Sequence, residues 1–208
     1  PKDDPRYQKW CDHGECRDGI LIDALTDYLK TLDMKNLKQN QLIVLHQMGS
    51  HGPAYYKRYP AEFKKFTPIC ETNNIQNCDH QALINTYDNT IVYTDHVLAS
   101  TIDLLKQQPV ASSMLYLSDH GESTGESGLY LHGTPYMVAP KEQTHIPMLL
   151  WFSQNWSERH HIYQCLSHYK DSAWSQDNLF PTVLGLLNVQ TQVYDQKLDM
   201  LSSCKGQI

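Results

Sequence analysis

The run Ser113-Met114-Leu115-Tyr116-Leu117 has the length and apolarity of a buried strand, and it ends abruptly in Ser118-Asp119-His120-Gly121-Glu122-Ser123. Where an open α/β sheet is built, ligands gather outside the carboxyl ends of its strands. An acid and an imidazole arrive side by side at such an end here. Gly121, Gly125 and Gly128 follow, which lets the loop turn tightly and bring backbone close to a ligand. Asp119 and His120 can thus offer one hard oxygen and one imidazole nitrogen to a metal such as zinc. The competing reading is a capped loop with a solvated Asp-His pair.

The rest of the chain alternates helical and strand-like stretches, which predicts an α/β layer fold. Gly19 to Leu32 carries Leu21, Ala24, Leu25, Tyr28 and Leu32 at helical spacing. Leu42-Ile43-Val44-Leu45 is a short continuous apolar run, expected as a strand covered on both faces. It leads into a second polar, glycine-bearing exit, His46-Gln47-Met48-Gly49-Ser50-His51-Gly52-Pro53. His46 sits close to the strand and reads as structural; His51, between glycines, is the better ligand candidate. Asp79 predicts an N-cap for a long helix closed by Gln107-Gln108-Pro109, with Ile84, Tyr87, Ile91, Val97, Leu98, Ile102 and Leu105 along its apolar stripe. Ile146 to Phe152 predicts another strand. Residues 154–174 are polar with weak periodicity, and His160, His161 and His168 are expected at the surface. A short helix is expected after Asp177, with Pro181 tolerated in its first turn.

Composition narrows the function classes. The chain has 208 residues, 40% of them hydrophobic, enough for one domain with a sizeable core. A net charge of −6 argues against a general nucleic-acid binder. No apolar run reaches the ~20 residues a membrane-spanning helix needs, and the opening Pro1-Lys2-Asp3-Asp4 reads as the interior of something longer. Between Ala54 and Phe66, tyrosines and phenylalanines are mixed with Lys57, Arg58, Lys64 and Lys65. That mixture suits either an anionic lipid interface or an ordinary surface with half-buried tyrosines. The six cysteines are Cys11, Cys16, Cys70, Cys78, Cys165 and Cys204. The two close pairs suggest disulfides and an oxidising compartment, each closing a short loop for about 2 to 2.5 kcal/mol. A Cys165–Cys204 bridge would contribute about 4 kcal/mol by the same chain-entropy reasoning. A structural zinc site is the rival use, although neither close pair has Cys-x2-Cys spacing.

Three stretches in combination go further: His46 to Pro53, Ser118 to Ser123, and Tyr130-Leu131-His132-Gly133 with Ala139-Pro140-Lys141-Glu142-Gln143. In this order and spacing they closely resemble the lipid A phosphoethanolamine transferases, the family that includes the mobile colistin-resistance enzymes of Gram-negative bacteria. The resemblance runs from about Cys11 to about Leu187. It implies an alkaline phosphatase/sulfatase-like layered sheet with flanking helices, here partial. Residues 1–208 would be the C-terminal portion of a single periplasmic catalytic domain, anchored in the inner membrane in the full-length protein. The implied activity is transfer of phosphoethanolamine from phosphatidylethanolamine to a lipid A phosphate, through a phosphorylated threonine activated by zinc, giving polymyxin resistance. Carried over residue by residue, Asp119 and His120 match zinc ligands. His51 and His132 match histidines that line the substrate phosphate or bind a further zinc, and Glu122 matches a site-lining acid. The pairs Cys11/Cys16 and Cys70/Cys78 match family disulfides, the first with a shorter loop; Cys165 and Cys204 have no counterpart.

One departure matters most. The family's nucleophilic threonine and its zinc-binding glutamate have no match in this chain, and Thr124 occupies no nucleophile position. The resemblance therefore implies a monomeric piece that carries half of a metal site and is inactive alone. The alternatives are another superfamily hydrolase (a sulfatase or a phosphodiesterase) and a non-catalytic domain that recognises phosphorylated lipid through an incomplete zinc site.

Overall fold

The computed structural model describes residues 1–12, 14–160 and 162–205. His13 and His161 lie outside the described residues. Along the chain come β1 (Cys11–Asp12), β2 (Glu15–Cys16), α1 (Gly19–Thr31), α2 (His80–Lys106), β3 (Ser113–Leu117), β4 (Ser123–Thr124), β5 (Tyr130–Leu131), α3 (Lys141–Thr144) and β6 (Met148–Phe152). They are followed by α4 (Gln154–His160), α5 (Ile162–Leu166), α6 (Leu179–Leu186) and α7 (Ser202–Lys205). The expected layered sheet is reduced, among the described residues, to three two-stranded sheets, β1–β2, β3–β6 and β4–β5. The chain divides into two compact units. One comprises Pro1–Asp33, Val44–Leu104 and Leu115–Leu149; the other comprises Met34–Ile43, Leu105–Met114 and Leu150–Ile208.

In the first unit the Cys11–Cys16 disulfide closes the β1–β2 hairpin. The turn before it packs on α1, where Trp10 donates to Asp23 at 2.7 Å and Tyr7 to Asp27 at 2.9 Å. α1 forms where the spacing predicts it, but the buried side is Ile20, Leu25 and Leu29, while Tyr28 stays exposed. Of the expected stripe Leu25 is buried, whereas Leu21 and Ala24 are only half-buried. A second correction concerns residues 42–45, which form no strand; Leu42 and Val44 are exposed. A strand exists only where a neighbour accepts and donates its backbone hydrogen bonds, and none pairs with this run among the described residues.

The largest departure from hydropathy lies on α2. Asp79 caps it as expected, accepting from the Ala82 amide at 3.0 Å. Its buried side, however, includes Asn85, Thr86, Asn89, Thr90 and Thr94, and Ile91 faces solvent. Asn85, Thr86 and Asn89 satisfy backbone groups of the irregular 50–70 segment, and Thr90 donates to the Ser50 hydroxyl at 2.6 Å. The Thr86 hydroxyl accepts from the Cys70 amide at 2.7 Å, and Asn85 donates to the Pro68 carbonyl at 2.9 Å. Asn89, fully buried, accepts from the Lys65 and Phe66 amides at 2.8 and 2.9 Å and donates to the Phe66 carbonyl and the Tyr59 hydroxyl. That fills an amide's complement of two acceptor and two donor positions. Asn89→Leu takes the acceptor from the Phe66 N–H, while the Lys65 N–H keeps the Phe63 carbonyl at 2.9 Å, so it should cost about 2 kcal/mol, whereas exposed Ile91→Ala should stay within about 0.5 kcal/mol. Urea unfolding of both variants checks this; equal costs would restore the apolar stripe as the packing face.

The apolar cores of this unit sit beneath that seam. Tyr55, Cys70, Ile75 and Leu83 form one, with the Cys70–Cys78 disulfide at its edge. Tyr59, Tyr93 and Val97 form another. In the second unit Phe152, Ile162, Leu201 and Cys204 are buried together, Trp156 stacks on Phe152, and the Cys165–Cys204 disulfide ties α5 to the C-terminal segment. All six cysteines are thus bridged, and no cysteine metal site forms. The weakly periodic 154–174 segment holds two short helices, and His168 is exposed as expected. A 3-10 turn over Gln176–Asn178, closed by a capping box between Ser175 and Asn178, leads into α6, which buries Pro181 in its first turn. No helix among the described residues is long and apolar enough to cross a membrane.

Candidate metal and phosphate site

Two loop exits and one small hairpin of the first unit bring the candidate residues together. The β4–β5 register pairs Ser123 with Leu131 and Thr124 with Tyr130. One step further out, that register sets Glu122 opposite His132. Leu131 holds a left-handed backbone, φ 63°, immediately before His132. A bulky residue adopts this conformation rarely, and such strain persists only where surrounding structure enforces it.

Glu122 is the hub. Its side chain is buried, and it accepts from the Tyr55 hydroxyl at 2.7 Å, from His132 Nδ1 at 2.9 Å and from the Gly52 amide at 3.3 Å. Burial, and then the hydrogen bond to Glu122, push the Tyr55 phenol far above its usual range, so it stays a donor. Gly52 must be glycine here, because a Cβ would press on the Leu131 side chain and the Tyr55 ring. The same holds at Gly121, where a Cβ would overlap the Glu142 carbonyl oxygen.

The three candidate histidines share one arrangement. Nδ1 of His120 lies 3.0 Å from the Gly121 carbonyl oxygen, and Nδ1 of His51 lies 2.7 Å from that of Gly52. A carbonyl oxygen only accepts, so each Nδ1 carries a proton; the carboxylate of Glu122 selects the same form of His132. In each neutral ring Nε2 is then left with its lone pair, the nitrogen that can ligate a metal or take up a proton. The ring centroids of His120 and His132 are 4.1 Å apart, and His51 lies 5.2 Å from His132 and 6.4 Å from His120. Donor atoms of His120, Glu122 and His132 all lie within 4.8 Å of one another, a possible His/Glu metal site.

Asp119 is exposed, and its Oδ1 lies 3.8 Å from His120 Nε2. Two donors on one tetrahedral zinc sit about 3.4 Å apart, so this pair can share an ion with a small adjustment. Asp119 is not part of the tighter His120–Glu122–His132 group. Thr124 is buried, and its hydroxyl donates to Glu126 rather than facing the histidines.

Several contributors escape sequence reasoning. The buried Asp18 carboxylate accepts from the Met48 and Gly49 amides at 2.8 Å each, and so shapes the turn that carries His51. Burial pushes its carboxyl up, against the pull of those two amides. Arg58 is a correction to the lipid-facing expectation. Its side chain is 9% exposed, donating to the His51 carbonyl at 2.8 Å and to Glu15 at 3.1 Å. It braces the histidine loop. Gln143 is buried as well, donating to Ser123 Oγ at 2.9 Å while its carbonyl accepts from the Gly121 amide at 3.0 Å. Gln143 and Arg58 lie in stretches that the sequence singles out, Arg58 for a different role, whereas Asp18 lies in none.

Comparison with known proteins bears on what this geometry does. The sulfatase family profile matches residues 1–189. Phosphoethanolamine transferase EptA of Salmonella typhimurium is 50% identical over 199 residues, covering 94% of this chain and 36% of the relative. Phosphatidylethanolamine transferase Mcr-2 of Escherichia coli is 45% identical over 179 residues, covering 85% of this chain and 31% of the relative. The chain thus spans about a third of the length of these curated relatives. Among solved structures, the integral membrane protein lipooligosaccharide phosphoethanolamine transferase A from Neisseria meningitidis superposes with a TM-score of 0.87 at 42% identity, covering 95% of this chain and 37% of that one. The fold is therefore sulfatase/alkaline phosphatase-like, with mixed helix and sheet.

Proposed function

The chain belongs to the sulfatase family, and from that premise we propose that residues 1–208 are the C-terminal portion of the catalytic domain of a phosphoethanolamine transferase. In the whole protein this domain moves phosphoethanolamine from phosphatidylethanolamine to a lipid A phosphate. Reduced negative charge on lipid A then gives resistance to cationic polymyxins such as colistin. The domain works as a monomer in the periplasm, held at the inner membrane by parts outside these residues. The names of the relatives support this reading. The observation that carries it is the convergence of His51, His120 and His132, each with Nδ1 engaged and Nε2 left for a ligand.

Asp119 and His120 are the residues that would hold zinc. Their donor set, one hard oxygen and one imidazole nitrogen, fits that ion. When bound, zinc supplies a Lewis acid that lowers a hydroxyl pKa and stabilises charge on a phosphoryl oxygen. His51 and His132 present Nε2 toward the phosphoryl group; protonated, either can hold a non-bridging oxygen or give a proton to the leaving group. Glu122 fixes the ring of His132 and takes no proton from substrate. The nucleophilic threonine lies outside residues 1–208, and its covalent phosphoryl intermediate lets the donor lipid leave before the acceptor arrives.

The whole protein, expressed in a bacterium with unmodified lipid A, should yield lipid A carrying added phosphoethanolamine by mass spectrometry. Residues 1–208 alone should yield none. Unmodified lipid A together with hydrolysis of sulfate esters or phosphodiesters by the whole protein would replace this reading with a hydrolase of the same superfamily.

A further inference from the structure

Shortly after His132 the chain presents its most exposed apolar group. Tyr136, Met137 and Val138 are 86%, 96% and 69% exposed. They occupy a tight turn that closes with the Val138 amide on the Pro135 carbonyl at 2.9 Å. Three consecutive large apolar side chains held out in this way are costly in water unless something covers them. The turn is not a loose loop. Its neck is drawn shut by buried Gln143, whose Oε1 accepts from the Thr134 amide at 3.2 Å and whose own amide donates to the Pro140 carbonyl at 3.0 Å. Through its carbonyl, Gln143 also grips Gly121, next to His120. One residue therefore anchors both the apolar tip and the loop of the candidate metal site. Lys141, with an exposed side chain whose ammonium lies 3.9 Å from the Glu142 carboxylate, stands just beyond the tip.

We propose that Tyr136, Met137 and Val138 form a wedge that enters the headgroup region of an anionic phospholipid bilayer and so brings the histidine site to lipid-borne phosphates. The inference rests on the transferase reading above, because a site that takes phosphoryl groups from lipids has to meet them at the membrane surface. An aromatic residue with an apolar body and a polar tip, followed by two aliphatic side chains and a lysine, matches the chemistry of that layer. Lysine near an anionic surface adds electrostatic attraction. A relative of the same fold is an integral membrane protein, which puts a bilayer within reach of the domain. The wedge needs no other part of the chain to be exposed.

The experiment is co-sedimentation of residues 1–208 with vesicles of phosphatidylethanolamine and phosphatidylglycerol. Replacing Tyr136, Met137 and Val138 together by serine should weaken partitioning about tenfold. Leu42→Ser with Val44→Ser, which removes exposed apolar surface elsewhere, should change it less than about twofold. Thermal melts of both variants should match the parent, since the substituted side chains are exposed. No vesicle binding by the parent, equal binding by the triple variant, or an equal loss in the Leu42/Val44 variant would overturn the wedge. So would self-association of the parent that the triple variant abolishes, which would make a second copy the occupant. In the whole protein the triple variant should keep transfer from a short-chain, water-soluble donor and lose transfer from vesicles. Failure of the transferase reading shows up separately, as absence of transfer from either donor with the tip intact.

Discussion

Glu122→Gln in the whole protein is expected to lower phosphoethanolamine transfer about 100-fold, the upper range for losing a group that orients a ligating or acid–base histidine. The substitution keeps shape and removes one acceptor oxygen. Three donors converge on this carboxylate: the Tyr55 hydroxyl, the Gly52 amide and Nδ1 of His132. A glutamine has one oxygen to offer them and brings an N–H2 that faces other donors. His132 then loses the partner that holds its ring and selects its Nδ1-protonated form. At least one buried donor goes unpaired as well, so stability should fall by about 1 to 3 kcal/mol. Tyr55→Phe separates the two effects. It removes one donor and leaves the His132 contact in place, so transfer should stay within about threefold while stability falls by about 1 kcal/mol. Steady-state transfer assays and urea unfolding on the same preparations check both numbers. Wild-type turnover in Glu122→Gln would mean that His132 does not depend on this carboxylate.

The chemistry of the site was more legible in the sequence than its wiring. Asp119 and His120 stand out because polarity and glycine begin where an apolar strand ends, and that pattern is local. His51 and His132 stand out by resemblance to family motifs. The Glu122–His132 contact has no local signal. It follows from the register of two-residue strands, too short to carry any hydrophobic period, with Gly125 and Gly128 in the turn between them. Asp18 and Arg58 act across 30 and 7 residues respectively on one loop; nothing in the neighbourhood of Asp18 marks it, and the aromatic-basic stretch around Arg58 points to a lipid surface rather than to this bracing role. The fold divides in the same way. α1, α2, β3 and β6 follow from local pattern, and so does the pairing of the close cysteines. The buried side of α2 does not, because Asn and Thr count as polar on any hydropathy scale and reveal their role only through the loop amides they satisfy. Residues 42–45 fail for the opposite reason. Their apolar run is strand-like, but a strand also needs a partner, and local pattern carries no information about one.

The largest effect is expected at His120. In the whole protein His120→Ala should reduce transfer by about 1,000-fold, because a metal's contribution to transition-state charge is worth several kcal/mol and each 1.4 kcal/mol is tenfold. The argument turns on ligand supply. A catalytic zinc typically takes three protein ligands and keeps one position open. Within residues 1–208 only Asp119 and His120 are assigned to the primary ion, with donor atoms 3.8 Å apart. His132 is already turned by Glu122, and His51 by its own Gly52 carbonyl, so their Nε2 atoms are available to a phosphoryl group. Residues 1–208 alone should therefore retain well under one zinc per chain after dialysis, whereas the whole protein should retain it and His120→Ala should release it. Elemental analysis gives the stoichiometry, and transfer from a fluorescent phosphatidylethanolamine gives the activity. Zinc that survives His120→Ala at full stoichiometry would move the primary site onto the His132–Glu122 group. Turnover by residues 1–208 alone would bring the nucleophile back inside this chain, with Thr124 the first hydroxyl to test, since its hydrogen bond to Glu126 would then be the contact that activates it.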